Sequence, residues 1–126
     1  MIKNLKDKII IGLDEYVTII DNEKKEETVI ARIDSGAEWS SIDKKLFEKL
    51  SLGPIIGSKL IKSASGKKRR DIVKIKIRLK GKELIGQFNI ADRSRLKYKM
   101  LIGHDILMQG FLIDPSIAII KKANNN

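Results

Sequence analysis

Apolar and polar positions along this chain alternate mostly with a period of two. KIIIGLDEYVTII (8–20) is rich in β-branched residues and predicts one or two strands. DNEKKEE is a polar turn, and TVIARID is a buried strand that delivers Asp34 to its C-terminal end; EWSSID continues extended. The period then changes. DKKLFEKLSLG places Leu46, Phe47 and Leu50 at helical spacing, with Asp43 as N-cap and Gly53 as stop, which predicts a helix over 44–50. From residue 59 alternation returns. Ile72 is followed by Val73, Ile75, Ile77 and Leu79 on one face, with Lys74, Lys76, Arg78 and Lys80 on the other, a half-buried strand with a basic outer face. SASGKKRR is a charged hairpin tip before it, and KGKE around Gly81 turns it back into LIGQFNI. MLIGHDILMQGFLIDPSIAII predicts a strand to Gly103, one helical turn, and a last strand over 111–120 that Pro115 weakens or places at an edge. Many short strands with one or two short helices predict a mainly all-β chain closed into a barrel. No repeat or linker divides it, so 1–126 reads as one domain, with 1–7 and 121–126 peripheral or disordered.

Composition narrows the chemistry. A length of 126 residues and 42% hydrophobic content fit one folded core. There is no cysteine, hence no disulfide framework, and with one histidine there are too few ligands for zinc. No metal or other cofactor is expected. The start MIKNLKDKII is too charged for a secretory leader, and no apolar run approaches the roughly 18 residues of a membrane span, so a soluble cytoplasmic protein without membrane contact is expected. The formal charge is +10, and its surplus is local: Lys59, Lys62, Lys67, Lys68, Arg69, Arg70, Lys74, Lys76, Arg78, Lys80 and Lys82 face only Asp71 and Glu83. Such a run is either a solvated face or a surface for an acidic partner, nucleic acid or acidic polypeptide. The 5% aromatic content disfavours single-strand stacking platforms.

The candidate chemistry lies at Asp34-Ser35-Gly36. Asp at the start of a turn is common, but this turn is flanked by apolar Ile33 and Ala37, and MLIGHDIL later places an apolar pair and a glycine before a second polar group. Together these resemble the retropepsin-like aspartic peptidases, whose pattern is apolar-Asp-Ser/Thr-Gly-Ala early and apolar-apolar-Gly-Arg-Asp/Asn late. IGLDEYVTI, ARIDSGAEWSSID, NIADRSRLKYKMLIGHDIL and GFLIDPS resemble most the branch that goes by the name ATP-dependent zinc protease. Neither zinc nor ATP has support in the residues, since no phosphate-binding glycine loop precedes a helix. The chain departs from that branch at Glu38, Leu96, Lys99-Met100 and His104, which bears on substrate preference more than on chemistry.

The resemblance implies a closed acid-protease barrel and a catalytic Asp34 on an active-site turn with Ser35, Gly36 and Ala37. It also implies support from Glu38, Gly103, His104 and Asp105, with Glu38 paired to His104, and a flap of Ser63, Ala64, Ser65, Gly66, Lys67, Lys68, Arg69 and Arg70. Carboxylate proteolysis needs two carboxylates sharing a proton, because like charges so close cannot both ionise, a behaviour for which aspartic proteases are the standard example. With a single Asp-Ser-Gly, the second must come from another subunit, which implies a homodimer with the site on its two-fold axis, Ser35 bracing the two turns across it. Some members act with ligases that add glutamates, so the implied activity is an aspartic endopeptidase, metal- and ATP-independent, with acidic, poly-glutamate polypeptides as substrates. The competing readings are a non-catalytic basic barrel that binds RNA or another polyanion, and a degenerate dimerisation module. Trp39 reads as core or interface packing, Asp92 with Arg93 as a turn and ion pair, Asp114 as a turn, and Asp105 as structural support for Gly103.

Overall fold

The computed structural model describes residues 5–63 and 66–121. Its strands are β1 (Ile9–Ile11), β2 (Asp14–Ile20), β3 (Glu26–Ile33), β4 (Ser40–Asp43), β5 (Ile55–Ser63), β6 (Gly66–Leu79), β7 (Lys82–Ala91), β8 (Met100–Ile102) and β9 (Phe111–Ile113), with helices α1 (Lys44–Lys49) and α2 (His104–Leu107). A 3-10 turn covers Leu5–Asp7. The large sheet runs β2-β3-β8-β4-β7-β6-β5, and β2 also pairs with β6, so six strands close into a barrel and β5 lies outside the ring. This is the mainly β closed barrel with two short helices that the pattern predicts.

The long strand β6 explains both features. Its first half pairs with β5, from Gly66 opposite Ser63 to Val73 opposite Ile55. Its second half closes the barrel against β2, from Lys76 to Leu79, with β7 along its other edge. Only the second half alternates apolar and polar, and its Val73, Ile75, Ile77 and Leu79 are buried with Val17, Ile19, Ile42, Phe88, Met100 and Ile102 in one core. Lys80 and Gly81, both at positive φ, make the tight turn into β7 between paired Leu79 and Lys82.

Consecutive strands β3 and β4 are not neighbours, because β8 lies between them, parallel to β3 and antiparallel to β4. Residues 34–39 must therefore cross the C-terminal end of β8. This crossing positions the candidate site.

Three local expectations are corrected. Asp43 flanks α1 but makes no side-chain cap; its carboxylate accepts the Arg93 N–H at 2.7 Å instead. The helix ends at Lys49, and the left-handed residue that stops it is Ser51, not Gly53. The Ser51 N–H donates to Glu48 O and the Leu52 N–H to Phe47 O, a Schellman closure. The last strand stops at Ile113 rather than 120. Asp114 accepts both the N–H and the hydroxyl of Ser116, which with Pro115 folds the chain out of the ladder. Residues beyond lie over the start of β2, where Ile117 O accepts the Leu13 N–H and Asp14 accepts the N–H groups of Ile119 and Ile120.

Candidate active site

β3 and β8 run parallel, so Asp34 and Gly103 leave the barrel at the same end. The Asp34 N–H donates to Ile102 O at 2.9 Å, which anchors the crossing to β8. The turn then closes on itself: Gly36 N–H donates to Asp34 Oδ1 at 2.9 Å and Ala37 N–H to Asp34 O at 3.2 Å. On its far side His104 N–H donates to Ala37 O at 2.8 Å. Gly103 is required by this crossing. A Cβ there would lie 2.6 Å from Trp39 O and 2.7 Å from Ala37 O, both backbone atoms with nowhere to move. Asp34 is half-buried, and its second carboxylate oxygen has no partner among the described residues, while Ser35, Gly36 and Glu38 are exposed.

A buried polar chain holds the crossing from behind. Ser40 Oγ donates to Asp105 Oδ1 at 2.7 Å and accepts the Gly103 N–H at 3.0 Å. Ser40 O accepts from Asn89 Nδ2 at 2.9 Å, and Asn89 Oδ1 accepts from Arg70 at 3.1 Å. Burial pushes the Asp105 carboxyl above its usual range; the Ser40 hydroxyl and nearby backbone N–H groups oppose but do not overcome it. Its Oδ2 is buried without a partner. Asp105 thus reaches the Gly103 backbone through the Ser40 hydroxyl. Ser40 and Asn89 were not singled out in the sequence, although each is a polar residue inside an apolar strand stretch.

Glu38 and His104 do not pair: both are exposed, and neither side chain makes a hydrogen bond or ion pair among the described residues. His104 supports the turn through its backbone alone. Asp92 and Arg93 form no ion pair either. Asp92 accepts the Ser94 N–H, and half-buried Arg93 donates its backbone N–H to Asp43 and its Nε to Tyr98 O. The Arg93 guanidinium is held below its usual value first by burial and then by the charges of Arg32 and Arg70, while Asp43 and Asp34 act in the opposite sense. Arg93 is thus within electrostatic reach of two other guanidiniums and of Asp34. Trp39 is not in the core. It is half-buried under Lys59, whose Nζ sits 3.8 Å from the ring centroid.

The β5–β6 hairpin stands beside the turn. Gly36, Ala37, Glu38, Trp39, Leu60, Ile61, Lys62 and Asn89 line a groove of about 340 Å³ between them. Lys67, Lys68, Arg69 and Arg70 are not at the tip but in ladder with Lys62, Ile61, Leu60 and Lys59. Ala64, Ser65 and the Ser63 side chain lie outside the described residues. The basic run is divided by the fold. On the barrel half of β6, Lys76 pairs with Glu83, Arg78 with Glu26 and Glu83, and Lys80 with Glu15. On the hairpin, Lys59, Lys62, Lys67, Lys68, Arg69 and Arg70 form no ion pair among the described residues. The described residues contain no cluster of His, Cys, Asp or Glu able to hold a metal ion, and no helix long and apolar enough to cross a membrane.

The family model described as "Retropepsin-like aspartic endopeptidase RimB" matches residues 43–124, a span that begins after the Asp34 turn and takes in the hairpin and Gly103–Asp105. No curated protein sequence matches the chain. Among solved structures it is similar to the EIAV protease complexed with the inhibitor HBY-793, with TM-score 0.60 and 20% identity over 86% of this chain and 92% of that one. Protein Lpg0085 of unknown function from Legionella pneumophila gives TM-score 0.60 and 20% identity over 86% and 94%. The Simian Foamy Virus (mac) protease gives 0.53 and 20% over 76% and 96%. At these identities the likeness is one of fold.

Proposed function

The chain belongs to the RimB-like family of retropepsin-like aspartic endopeptidases, and from that premise we propose that it hydrolyses peptide bonds with Asp34, two copies of which meet across the two-fold axis of a homodimer. The observation that carries this reading is the crossing itself. It fixes the backbone of Asp34 to Ile102 and leaves one carboxylate oxygen unpartnered at the barrel end. One carboxylate takes a proton from water as the water attacks the carbonyl carbon. The other donates a hydrogen bond to the carbonyl oxygen and later a proton to the leaving nitrogen. Neither metal nor nucleotide is needed for these steps. Ser35 and Gly36 complete the active-site turn, and the hairpin covers the bound peptide and excludes water.

The substrate class is argued from charge. A surface whose cations are already ion-paired attracts a polyanion weakly, so the barrel half of β6 contributes less than its sequence suggests. The hairpin cations that form no ion pair, together with Arg93, which feels the charges of Arg32, Arg70 and Asp34, favour a glutamate-rich polypeptide. The same unpaired cations support the second reading, a non-catalytic module for RNA or another polyanion. One experiment separates them: cleavage of a fluorogenic oligoglutamate peptide by wild type and Asp34→Asn. The proposal expects hydrolysis by the wild type, lost by at least about 10³-fold in the variant, and weakened by salt. Equal rates from both proteins overturn the catalytic assignment, and equal rates on neutral and acidic peptides at low salt overturn the substrate class.

A further inference from the structure

Two half-buried cations stand out in a hairpin whose flanking residues are mostly exposed. Lys59 of β5 and Arg70 of β6 are direct cross-strand partners, so they form one rung of the ladder. Both reach the segment that carries the candidate active site, by different routes. Arg70 donates to Asn89, which is 2% exposed and donates in turn to Ser40 O. Lys59 lies over the Trp39 ring and donates to Gln87 Oε1 at 3.5 Å. Ser40 and Trp39 are adjacent, and they end the crossing that Asp34 begins. Beyond this rung Arg69 donates to Ser58 within the hairpin, and Leu60, Ile61 and Lys62 line the groove opposite the crossing.

We propose that the Lys59–Arg70 rung fastens the hairpin to the crossing, and that Arg70, Lys59 and Asn89 are positioning residues that hold the Asp34 turn in its working geometry. They act through the Ser40 carbonyl and the Trp39 ring and do not touch the scissile bond. The inference rests on the reading of Asp34 as the catalytic carboxylate. Its physical basis is that Arg70 is the donor to the Asn89 carbonyl oxygen among the described residues, so its removal leaves that buried oxygen to find another partner. The amide then loses the neighbour that fixes its orientation toward Ser40 O, and the turn loses one wall. Arg suits this place because its planar fork can hold a directed bond to an amide while its charge stays near the groove.

The test uses the full chain with Arg70→Met, Arg70→Lys and Lys59→Met, and reads three quantities. Amide hydrogen exchange at Gly36, Ala37 and His104 is expected to rise by about 10-fold in Arg70→Met, with Val17 in β2 unchanged. On the oligoglutamate peptide, Arg70→Met is expected to lower kcat by about 10-fold and also to raise KM, since a cation facing the acidic substrate is lost, whereas Arg70→Lys, which keeps the charge without the fork, is expected to restore KM but only part of kcat. Emission of Trp39, the sole tryptophan, is expected to shift in Lys59→Met and also in Arg70→Met, although Arg70 bonds to Asn89 and not to the ring. Wild-type exchange at the turn in Arg70→Met overturns the inference whatever the kinetics show. So does acceleration at Val17 as well, which marks general loosening, or faster turn exchange with kcat unchanged. An active Asp34→Asn would instead overturn the catalytic reading and leave the exchange result standing.

Discussion

Asp14 is 1% exposed and accepts from the Tyr98 hydroxyl at 2.7 Å and from the N–H groups of Ile119 and Ile120. Burial acts to raise its carboxyl, but the three donors together outweigh it and hold the group below the usual aspartate value of 3.8. Tyr98 is pushed up to about 12, by burial first and then by Asp14, so its hydroxyl remains a donor. Asp14→Asn should cost about 2–4 kcal/mol at neutral pH, since the amide turns an N–H₂ toward existing donors. A lowered folded value means that the unfolded chain protonates first. The Asp14 contribution is therefore complete above 3.8 and is lost as pH falls through the folded value. Denaturation of wild type and variant should converge on acidification; a constant gap from about pH 5 to about pH 3 would contradict the assignment. Asp105 behaves oppositely. Its folded value is raised, so stability is greatest below 3.8 and declines as pH rises through the folded value. Asp105→Asn keeps an acceptor for Ser40 and has no charge to bury, and should gain about 1 kcal/mol at pH 7, with the gain vanishing below the usual aspartate value. Urea midpoints at the two pH values check this. Asp34 and Gly103 were legible because their neighbours form a local pattern. Ser40 and Asn89 were not, because what makes them matter is a partner about 50 or more residues away.

At the scale of elements, alternation read correctly wherever one face is buried and the other wet, as along β2 and the barrel half of β6. It misled where tertiary bonds decide the outcome. Asp43 has the composition of a cap but is engaged by Arg93, and the apolar run after Ile113 resembles strand yet gives its N–H groups to Asp14. Glu38 and His104 were paired by analogy of position, whereas the crossing uses the backbone of His104 and leaves both side chains in solvent. The crossing predicts a steep response at Gly103. Its φ of −109° suits any residue, so the loss in Gly103→Ala is steric, about 3 kcal/mol or more, and a near-wild-type melting temperature would refute the geometry. The two halves of β6 should also differ. Ile77 and Leu79 are buried between β2 and β7, and Val73 and Ile75 are buried beside β7, while residues 66–69 have only β5 beside them and are exposed. Amide exchange should be slow in the first group and fast in the second. Equal protection along the strand would remove the distinction between a barrel half and a covering half.

For the whole molecule, the sequence presented the eleven cations of 59–82 as one run, and only the fold shows that three of them, Lys76, Arg78 and Lys80, are spent on Glu15, Glu26 and Glu83. Those glutamates are brought to β6 by the β2–β6 closure and the β6–β7 hairpin, and barrel closure of this kind cannot be read from local pattern. What the fold leaves unanswered by one chain is the second carboxylate. On the proposed reading, the one Asp34 of a chain supplies a base without an acid, so activity should belong to a pair of chains. Mixing tests this without a structure of the dimer. If each site needs two Asp34 side chains, an equimolar, fully exchanged mixture of wild type and Asp34→Asn contains about one quarter wild-type pairs, and its rate should be about a quarter of that of wild type at the same total concentration. A monomer acting alone gives half. Dilution supplies the independent arm: specific activity should fall once the concentration drops below the dissociation constant of the pair, and a saturating acidic peptide should restore it by binding both halves at once. A rate of one half in the mixture, together with specific activity that is constant on dilution, would place the whole reaction in one chain and require a second acid that this fold does not bring to Asp34.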